Sequence, residues 1–460
     1  MQEYKKQIIH ILYGSIALLF PFIELKYLIP IVLIGGVFLA FVSPNSPLPF
    51  KSIFHLLASE SDYKDRKLIG TLYLLFSTLI LLILSWILGL PLYIVGAAIA
   101  ITTFGDGTGT IVGLITEKSD GERPKGATSE TIGKKTSTVY SSLTLLIIGA
   151  ISAVIIGYWI AISSGIPVVI ENIVFLSLIG AMTGALLESI SIKVDDNLTV
   201  PFGAAMAMWL FACLEYSVPI TYLILAFIFA LTLSIIAYKA KIADVSALLS
   251  ATLLGVLVIV FSHITWLIIL LTFFILGGGF TRYKYKYKLS KGLAQKKSGI
   301  RTYKNVFSNS LVALIFAVLW GLFPQYRDLC LFAFLGSVAT AIGDTLASEI
   351  GSTAKVKPYL ITTFKQVEPG IDGAISVLGE LSAFFGSTII ALLAIGMGII
   401  NEEYFIAFLI VVFGGFIGTN IDSLLGATLQ QKGLLSNNGV NLVATWAGAI
   451  VSVGIYCLAS

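Results

Sequence analysis

The stretch LCLFAFLGSVATAIGDTLASEIG, residues 329–351, is an apolar run that carries two acids, Asp344 and Glu349, close to its end. About twenty predominantly apolar residues cross the hydrocarbon core of a bilayer as a helix, and this run has that length. A carboxylate in such a segment is costly, and it is usually held by the interior of a bundle, a metal or an opposite charge. The stretch therefore predicts a transmembrane helix that contributes to a functional site.

Apolar runs of the same kind recur along the whole chain. Hydrophobic residues make up 57% of the sequence and charged residues 12%, whereas about a quarter of the residues in soluble domains are charged. The runs of spanning length number about fifteen, and long segments of alternating hydrophobicity, typical of barrel strands, are missing. The sequence predicts an all-α fold, a polytopic transmembrane helical bundle in two modules, residues 1–237 and 238–460.

The positive charges predict an orientation for this integral, multi-pass membrane protein. With the N-terminus in the cytoplasm and the C-terminus outside, all of the 29 lysines and arginines except Lys26 and Arg327 fall on the cytoplasmic side. The polar loops with the candidate site residues then share that side. Membrane lipid is an expected partner, and nucleic acid is not.

Helical geometry separates the two acids of the opening stretch. At about 100° per residue, Asp344 and Ser348 share a face, whereas Asp344 and Glu349 lie about 140° apart. An unbroken helix cannot direct both carboxylates at one ion. Either the helix breaks near Gly343, or each acid has a partner of its own.

Further polar groups of the second module lie at the same predicted membrane face. Asp372 is expected to begin a helix that carries Ser376 and Gly379 on one stripe, and Asn420 and Asp422 close another helix. Three uncompensated acids on three helices favour function over packing, and carboxylates suit Mg²⁺. The prediction for this module is a catalytic metal site of Asp344, Asp372 and Asp422, with Ser348, Lys365 and Asn420 binding nucleotide or phosphate.

A basic run, FTRYKYKYKLSKGLAQKKSGIRTYK at residues 280–304, precedes this site. Basic residues beside a membrane span attract anionic lipid head groups by about 1 kcal/mol for each charge. An anionic lipid substrate would be attracted in the same way, and the sequence leaves both interpretations open.

The first module has its own polar motifs, GDGTGT at residues 105–110 and GKKT at residues 133–136. The second is not a Walker A loop, because Thr128 stands where that motif needs a glycine. Lys134, Lys135 and Thr136 still lie at a predicted helix start, where free backbone N–H groups favour phosphate. An ordinary basic anchor loop is the alternative.

A second polar cluster of the first module follows its sixth predicted helix. Oxygen ligands gather beside the membrane here, from Glu188, Asp195, Asp196 and Asn197. Magnesium prefers such hard oxygen donors, often one or two carboxylates together with substrate phosphate. A surface loop is the alternative interpretation.

Taken in order, KKQIIHILYG, GDGTGT, GKKT and DDNLTVP resemble the phytol kinase and dolichol kinase family, which are CTP-dependent membrane kinases of isoprenoid alcohols. The resemblance covers about residues 1–237. It implies a nucleotide and metal site that contains Asp106, Lys134, Thr136, Asp196 and Asn197. The family commonly continues its Lys-Thr with Glu and Gly, where this chain has Ser137 and Thr138.

A second resemblance rests on GDTLASEIG, LITTFKQVEPGIDGAISVLGE and IGTNIDSLLGATLQ. These motifs are similar to the integral membrane family that includes the phytyl-phosphate kinase of plastids and cyanobacteria, over about residues 240–460. Gly343 replaces the alanine of the usual Ala-Asp-Thr, and Ile371 replaces the threonine of the usual Gly-Thr-Asp-Gly. Neither change removes an acid.

The two resemblances imply one bifunctional kinase that converts an isoprenoid alcohol, of the phytol or geranylgeraniol type, to its monophosphate and then to the diphosphate. CTP or another nucleoside triphosphate would be the co-substrate and Mg²⁺ the metal. In the first module, Asp106 and Asp196 would bind metal, or one of them would orient the alcohol, and Lys134 and Lys135 would bind phosphate. Phosphoryl transfer depends on positioning and charge neutralisation, which these residues can supply.

Two other functions remain open. Acids in a membrane and basic rims also mark transport pathways, so the chain could be a transporter or flippase of lipid phosphates. A cytidylyltransferase that makes a CDP-lipid resembles the first module, but the long C-terminal signature of that family has no counterpart in this sequence.

Overall fold

A computed structural model describes residues 2–58, 60–119, 139–190, 194–294, 299–401 and 403–459. The chain divides into two compact units, Met1–Ile224 and Leu225–Ser460. The predicted boundary between residues 237 and 238 lies within the second unit, on a helix that begins at Ile220. The separate activities assigned to the two modules stay predictions.

The first unit is a helical bundle. Its helices are α1 (Gln2–Gly14), α2 (Leu25–Ala40), α3 (Phe50–Leu57), α4 (Glu60–Asp65), α5 (Ile69–Leu88), α6 (Leu92–Ala100), α7 (Gly107–Ser119), α8 (Val139–Ser163), α9 (Ile170–Ser189) and α10 (Asp196–Cys213), with a 3₁₀ helix at Ser15–Phe22. Helix α11 (Ile220–Lys239) begins in this unit and continues into the second.

A π-helical segment, Ile101–Asp106, joins α6 to α7 within one long span. Gly105 packs on α8 so closely that a Cβ there would lie 3.1 Å from the carbonyl oxygen of Leu145. Single π-turns inside α-helices occur frequently at functional sites. This one ends on the predicted site residue Asp106 and places it inside the bundle, where it is buried.

The second unit contains the remaining elements. They are α12 (Val245–Phe261), α13 (Ile264–Arg282), α14 (Tyr285–Ser290), α15 (Tyr303–Leu322), α16 (Arg327–Gly351), β1 (Tyr359–Leu360), β2 (Ala374–Ile375), α17 (Val377–Gly396), α18 (Tyr404–Leu425) and α19 (Asn437–Ala459), with a 3₁₀ turn at Pro324–Tyr326 and a π-helical turn at Gly426–Gln430.

Helix α16, which contains the opening stretch of the sequence, is the centre of this unit and is surrounded by α13, α15, α17, α18 and α19. Its contacts are close because small residues face each other across the interfaces. A Cβ on Gly343 would lie 2.6 Å from Thr419 Oγ1, and one on Gly448 would lie 1.9 Å from Thr340 Oγ1. Helix α16 runs unbroken through Gly343.

The antiparallel hairpin β1–β2 connects α16 to α17 and corrects one expectation. Asp372 does not begin a helix with Ser376 and Gly379, because α17 starts at Val377 and Ser376 is its N-cap, accepting a hydrogen bond from the Gly379 N–H at 3.1 Å. Asp372 lies in the turn before β2, where Gly373 has a φ of +79°. That left-handed conformation interrupts any helix at this point.

The predicted all-α transmembrane bundle is confirmed. Within the described ranges, eleven helices are long and apolar enough to cross a membrane, and α2 and α12 are shorter apolar helices, against about fifteen spans predicted. The first apolar run is divided between α1 and a 3₁₀ helix that contains Pro21, and α10 begins with the polar pair Asp196 and Asn197. The orientation in the membrane stays a prediction.

Candidate functional site

Asp344 and Asp422 form an acid pair between α16 and α18. Their carboxyl groups lie within hydrogen-bonding reach of each other, and both residues are half-buried. Ser348, one turn further along α16, donates to the Asp344 carbonyl oxygen at 2.9 Å and lies 3.5 Å from its Oδ1. Two carboxylates in contact can both stay charged only if a cation lies between them. Otherwise one of the two holds a proton. The pair is therefore a place where a cation would be stabilised.

One atom of the pair adds to this argument. The Oδ2 of Asp422 is buried and, apart from the neighbouring Asp344 carboxyl group, has no hydrogen-bond donor in the part of the chain that the structure describes. Buried polar groups are nearly always paired, so such an oxygen requires an explanation, and an ion is one of the usual ones.

Asp372 lies at the rim of the acid pair. It is exposed, its charge acts on Asp422, and its carbonyl oxygen accepts a hydrogen bond from Gln431 Nε2 at 2.8 Å. The turn fits against the end of α18 because residue 373 is glycine, since a Cβ on Gly373 would lie 2.4 Å from the backbone nitrogen of Ala427. The structure thus brings the three predicted acids together from three elements.

The three acids are nonetheless not a preformed three-ligand metal centre. Over the described ranges, no group of three or more His, Cys, Asp or Glu side chains is arranged to hold a metal ion. Asp344 and Asp422 supply a two-carboxylate set, which suits an ion that takes its remaining ligands from water or substrate.

Glu349 has a different partner from Asp344. It forms an ion pair with Lys288 of α14, and the two side chains are 6% and 1% exposed. Lys288 Nζ also donates to the carbonyl oxygens of Phe280 at 3.1 Å and Thr281 at 2.9 Å, at the end of α13. Each acid of α16 therefore has a partner of its own, which confirms the second of the two alternatives drawn from helical geometry.

Arg301 connects the two acids of α16 electrostatically. Burial lowers the pKa of its guanidinium, while the charges of Glu349 and Asp344 act in the opposite direction. Its backbone is fixed by hydrogen bonds to the segment before α12, with Arg301 N–H donating to the Ile242 carbonyl oxygen at 2.8 Å. The sequence does not single out Lys288 as a site residue, because nothing in a run of basic residues separates the buried members from the exposed ones.

Asn420 and Lys365 are not part of the acid pair. Asn420 Nδ2 donates to Glu380 Oε2 of α17 at 3.0 Å, and two helical steps of about 100° turn it away from Asp422. Lys365 is exposed in the turn after β1, and its carbonyl oxygen accepts from the Leu360 N–H at 2.9 Å. Their roles in phosphate binding stay predictions.

In the first unit, Asp106 Oδ1 accepts a hydrogen bond from Thr110 Oγ1 at 3.2 Å. Asp196 is in the first turn of α10, and Asp195 is the N-cap of that helix. The Oδ1 of Asp195 accepts hydrogen bonds from the backbone N–H of Asn197 at 2.9 Å and from its Nδ2 at 2.8 Å. The carbonyl oxygen of Asn197 accepts from Ser77 Oγ at 3.0 Å. The predicted phosphate-binding residues Lys134, Lys135 and Thr136 lie outside the described residues.

Comparison with known proteins identifies relatives over about half of the chain. The family described as integral membrane protein DUF92 matches residues 228–449. A membrane protein of Methanocaldococcus jannaschii is 36% identical over 225 residues, which is 49% of this chain and 90% of the relative. No solved structure matches the chain.

Two relatives come from Arabidopsis thaliana. Protein PGR is 28% identical over 285 residues, covering 51% of this chain and 97% of the relative. The chloroplastic protein VTE6 is 29% identical over 188 residues, covering 39% of this chain and 55% of the relative. The resemblance of residues 1–237 to isoprenoid alcohol kinases stays a prediction.

Proposed function

The chain belongs to the DUF92 integral membrane family, and from this premise we propose that it is an enzyme of isoprenoid metabolism whose second unit phosphorylates an isoprenyl monophosphate. The observation that carries the proposal is the Asp344–Asp422 pair with Asp372 at its rim. The motifs around these acids resemble the phytyl-phosphate kinase family, and they lie in the part of the chain that the family model matches, residues 228–449.

The acid pair fits Mg²⁺, because the ion prefers carboxylate oxygens and usually takes further ligands from substrate phosphates. Asp344 and Asp422 would hold it, with Asp372 beside them, and the buried Oδ2 of Asp422 would gain a positively charged partner. When bound, Mg²⁺ supplies neutralisation of the charge on the transferred phosphoryl group. The charge of Arg301 acts on Asp344, and the exposed Lys365 would bind phosphate.

In the proposed reaction an oxygen of the isoprenyl monophosphate attacks the γ-phosphorus of CTP or another nucleoside triphosphate. The bond between the γ-phosphorus and its bridging oxygen breaks, and the nucleoside diphosphate leaves with the electron pair. A monophosphate is already an ionised nucleophile, so this unit has little need of a general base. Positioning and charge neutralisation remain, and both are available from the acids and basic residues of the site.

For the first unit we propose the preceding step, the phosphorylation of an isoprenoid alcohol. An alcohol must lose a proton as it attacks, and a carboxylate within reach can accept it. Asp106 and Asp196 are the candidates, for this role or for holding Mg²⁺, and Lys134 and Lys135 would bind nucleotide phosphate. The buried position of Asp106 at the end of a π-turn supports its choice.

Two assays on purified full-length protein test the proposal, one with an isoprenoid alcohol and one with its monophosphate, each with CTP and other nucleotides. Asp344→Asn should abolish diphosphate formation and preserve alcohol phosphorylation, and Asp106→Asn should do the reverse. Equal loss of both activities in either variant would contradict the division of labour. Absence of nucleotide-dependent product from the unaltered chain, together with lipid-phosphate movement across proteoliposomes, would favour the transporter instead.

A further inference from the structure

An apolar groove of about 370 Å³ opens in the second unit between the hairpin β1–β2 and the helices α17 and α18. Its apolar lining, here called the hairpin groove, includes Tyr359, Phe364, Ile375, Leu381, Phe384 and Phe416. Large parts of these side chains are uncovered, with Leu381 64% and Phe384 44% exposed. Leu381 and Phe384 belong to a helix that is long and apolar enough to span a membrane, where exposed apolar side chains face lipid. It is therefore the concave shape and the volume of the groove that indicate a binding site.

The turn that closes the groove has an unusual backbone. Phe364 adopts a φ of +52°, although bulky residues rarely enter the left-handed region. Two hydrogen bonds fix this conformation, Phe364 N–H to the Leu360 carbonyl oxygen at 2.8 Å and Leu360 N–H to the Lys365 carbonyl oxygen at 2.9 Å. Strained backbone of this kind is concentrated at functional sites and ligand clamps. Here the strained turn places the ring of Phe364 at the groove, and Lys365 follows it directly in the sequence.

The groove also adjoins polar groups of the candidate site. The lining includes Ser376 and the acid Glu380, which accepts a hydrogen bond from Asn420, so the largely apolar surface also contains polar groups. Ile375 in the lining follows Asp372 by three residues, so their Cα atoms are at most about 10 Å apart. One short hairpin thus joins an apolar groove, a lysine and the acid at the rim of the pair.

We propose that the hairpin groove binds the hydrocarbon chain of an isoprenyl phosphate, with the phosphate placed toward Lys365 and Asp372. The identity of the phosphate rests on the function proposed for this unit, whereas the placement of the chain rests on the groove itself. We choose a single-chain anionic amphiphile as the occupant because Phe364 of the lining is followed directly by the exposed Lys365, and Ile375 of the lining lies three residues from Asp372 of the candidate metal site.

Kinetics with two matched variants of full-length protein test this inference. Leu381→Trp fills the groove, and Leu392→Trp adds the same bulk to the same helix at a position that is 56% exposed and outside the lining. We expect Leu381→Trp to raise the KM for a long isoprenyl monophosphate about tenfold, because the chain would lose the burial of roughly two methylene groups. In Leu381→Trp, the KM for a five-carbon isoprenyl monophosphate should stay unchanged. In Leu392→Trp, the KM values for the long and the five-carbon substrates should both stay unchanged. An equal rise for the long and short substrates, or no rise, would overturn the inference.

Photolabelling gives a readout that does not need catalysis. An isoprenyl monophosphate with a diazirine on its chain should label α17 and α18 peptides of the groove, and unlabelled isoprenyl monophosphate should compete while phosphatidylglycerol should not. Equal competition by phosphatidylglycerol would mean that bulk lipid fills the groove and would overturn the inference. Labelling of the groove without any kinase product would refute the proposed function and leave the groove as a binding site. Kinase product with labelling elsewhere would refute binding in the groove and leave the proposed function in place.

Discussion

Removing Lys288 should destabilise the second unit more than removing any exposed lysine of the same basic run. Lys288 and Glu349 are 1% and 6% exposed, so Lys288→Met leaves a buried carboxylate without its counter-ion. Breaking a buried pair by removing one partner costs about 3–5 kcal/mol. For a unit of this size, that cost lowers the Tm by roughly 6–20 °C.

The assay is thermal unfolding of purified protein in one detergent, with Lys286→Met as the matched control because that lysine is exposed in the same run. The double variant Lys288→Met and Glu349→Gln should recover part of the loss, since no uncompensated charge remains buried. If Lys288→Met unfolds at the same temperature as Lys286→Met, the buried ion pair does not have the role described. If the double variant is no more stable than Lys288→Met, the cost does not come from the unpaired carboxylate.

Two further predictions concern packing and the candidate metal site. Gly448→Ala should destabilise the unit by about 1–3 kcal/mol, because its Cβ would lie 1.9 Å from Thr340 Oγ1, whereas Gly454→Ala on the same helix meets nothing within 4 Å and should be neutral in the same unfolding assay. Asp422→Asn should raise the Mg²⁺ concentration for half-maximal diphosphate formation more than Asp372→Asn does, because Asp422 is in the pair and Asp372 is exposed at its rim. An equal shift in both would argue for three equivalent ligands.

The sequence predicts the class of fold because hydropathy is a local property, and a span of about twenty apolar residues needs no knowledge of its neighbours. It overestimates the number of spans where apolar composition does not produce one straight helix, as around Pro21. The cost of charge in a membrane also predicts that Asp344, Asp372 and Asp422 act together, and the structure places them near each other.

What the sequence could not predict depends on tertiary contacts. The sequence predicts too early a start for α17, because Gly373 adopts its left-handed conformation against Ala427, on a segment distant in sequence. The burial of Lys288 was missed for a similar reason, since only the fold shows which lysine of an alternating basic run points at Glu349. Both features come from packing between elements, and no local pattern records them.

The charges around α16 explain why Asp344 and Glu349 have different partners. Lys288 is paired with Glu349, and the charge of half-buried Arg301 acts on Glu349 and Asp344. These two positive charges stand beside three acids, because Asp422 is in contact with Asp344. Asp372 at the rim brings the excess to two negative charges. Lys288 neutralises Glu349 directly, so the excess is concentrated at Asp344 and Asp422, where one divalent cation would balance it. A helix with two acids five residues apart can thus use one to anchor a basic segment and keep the other for a metal and its phosphate.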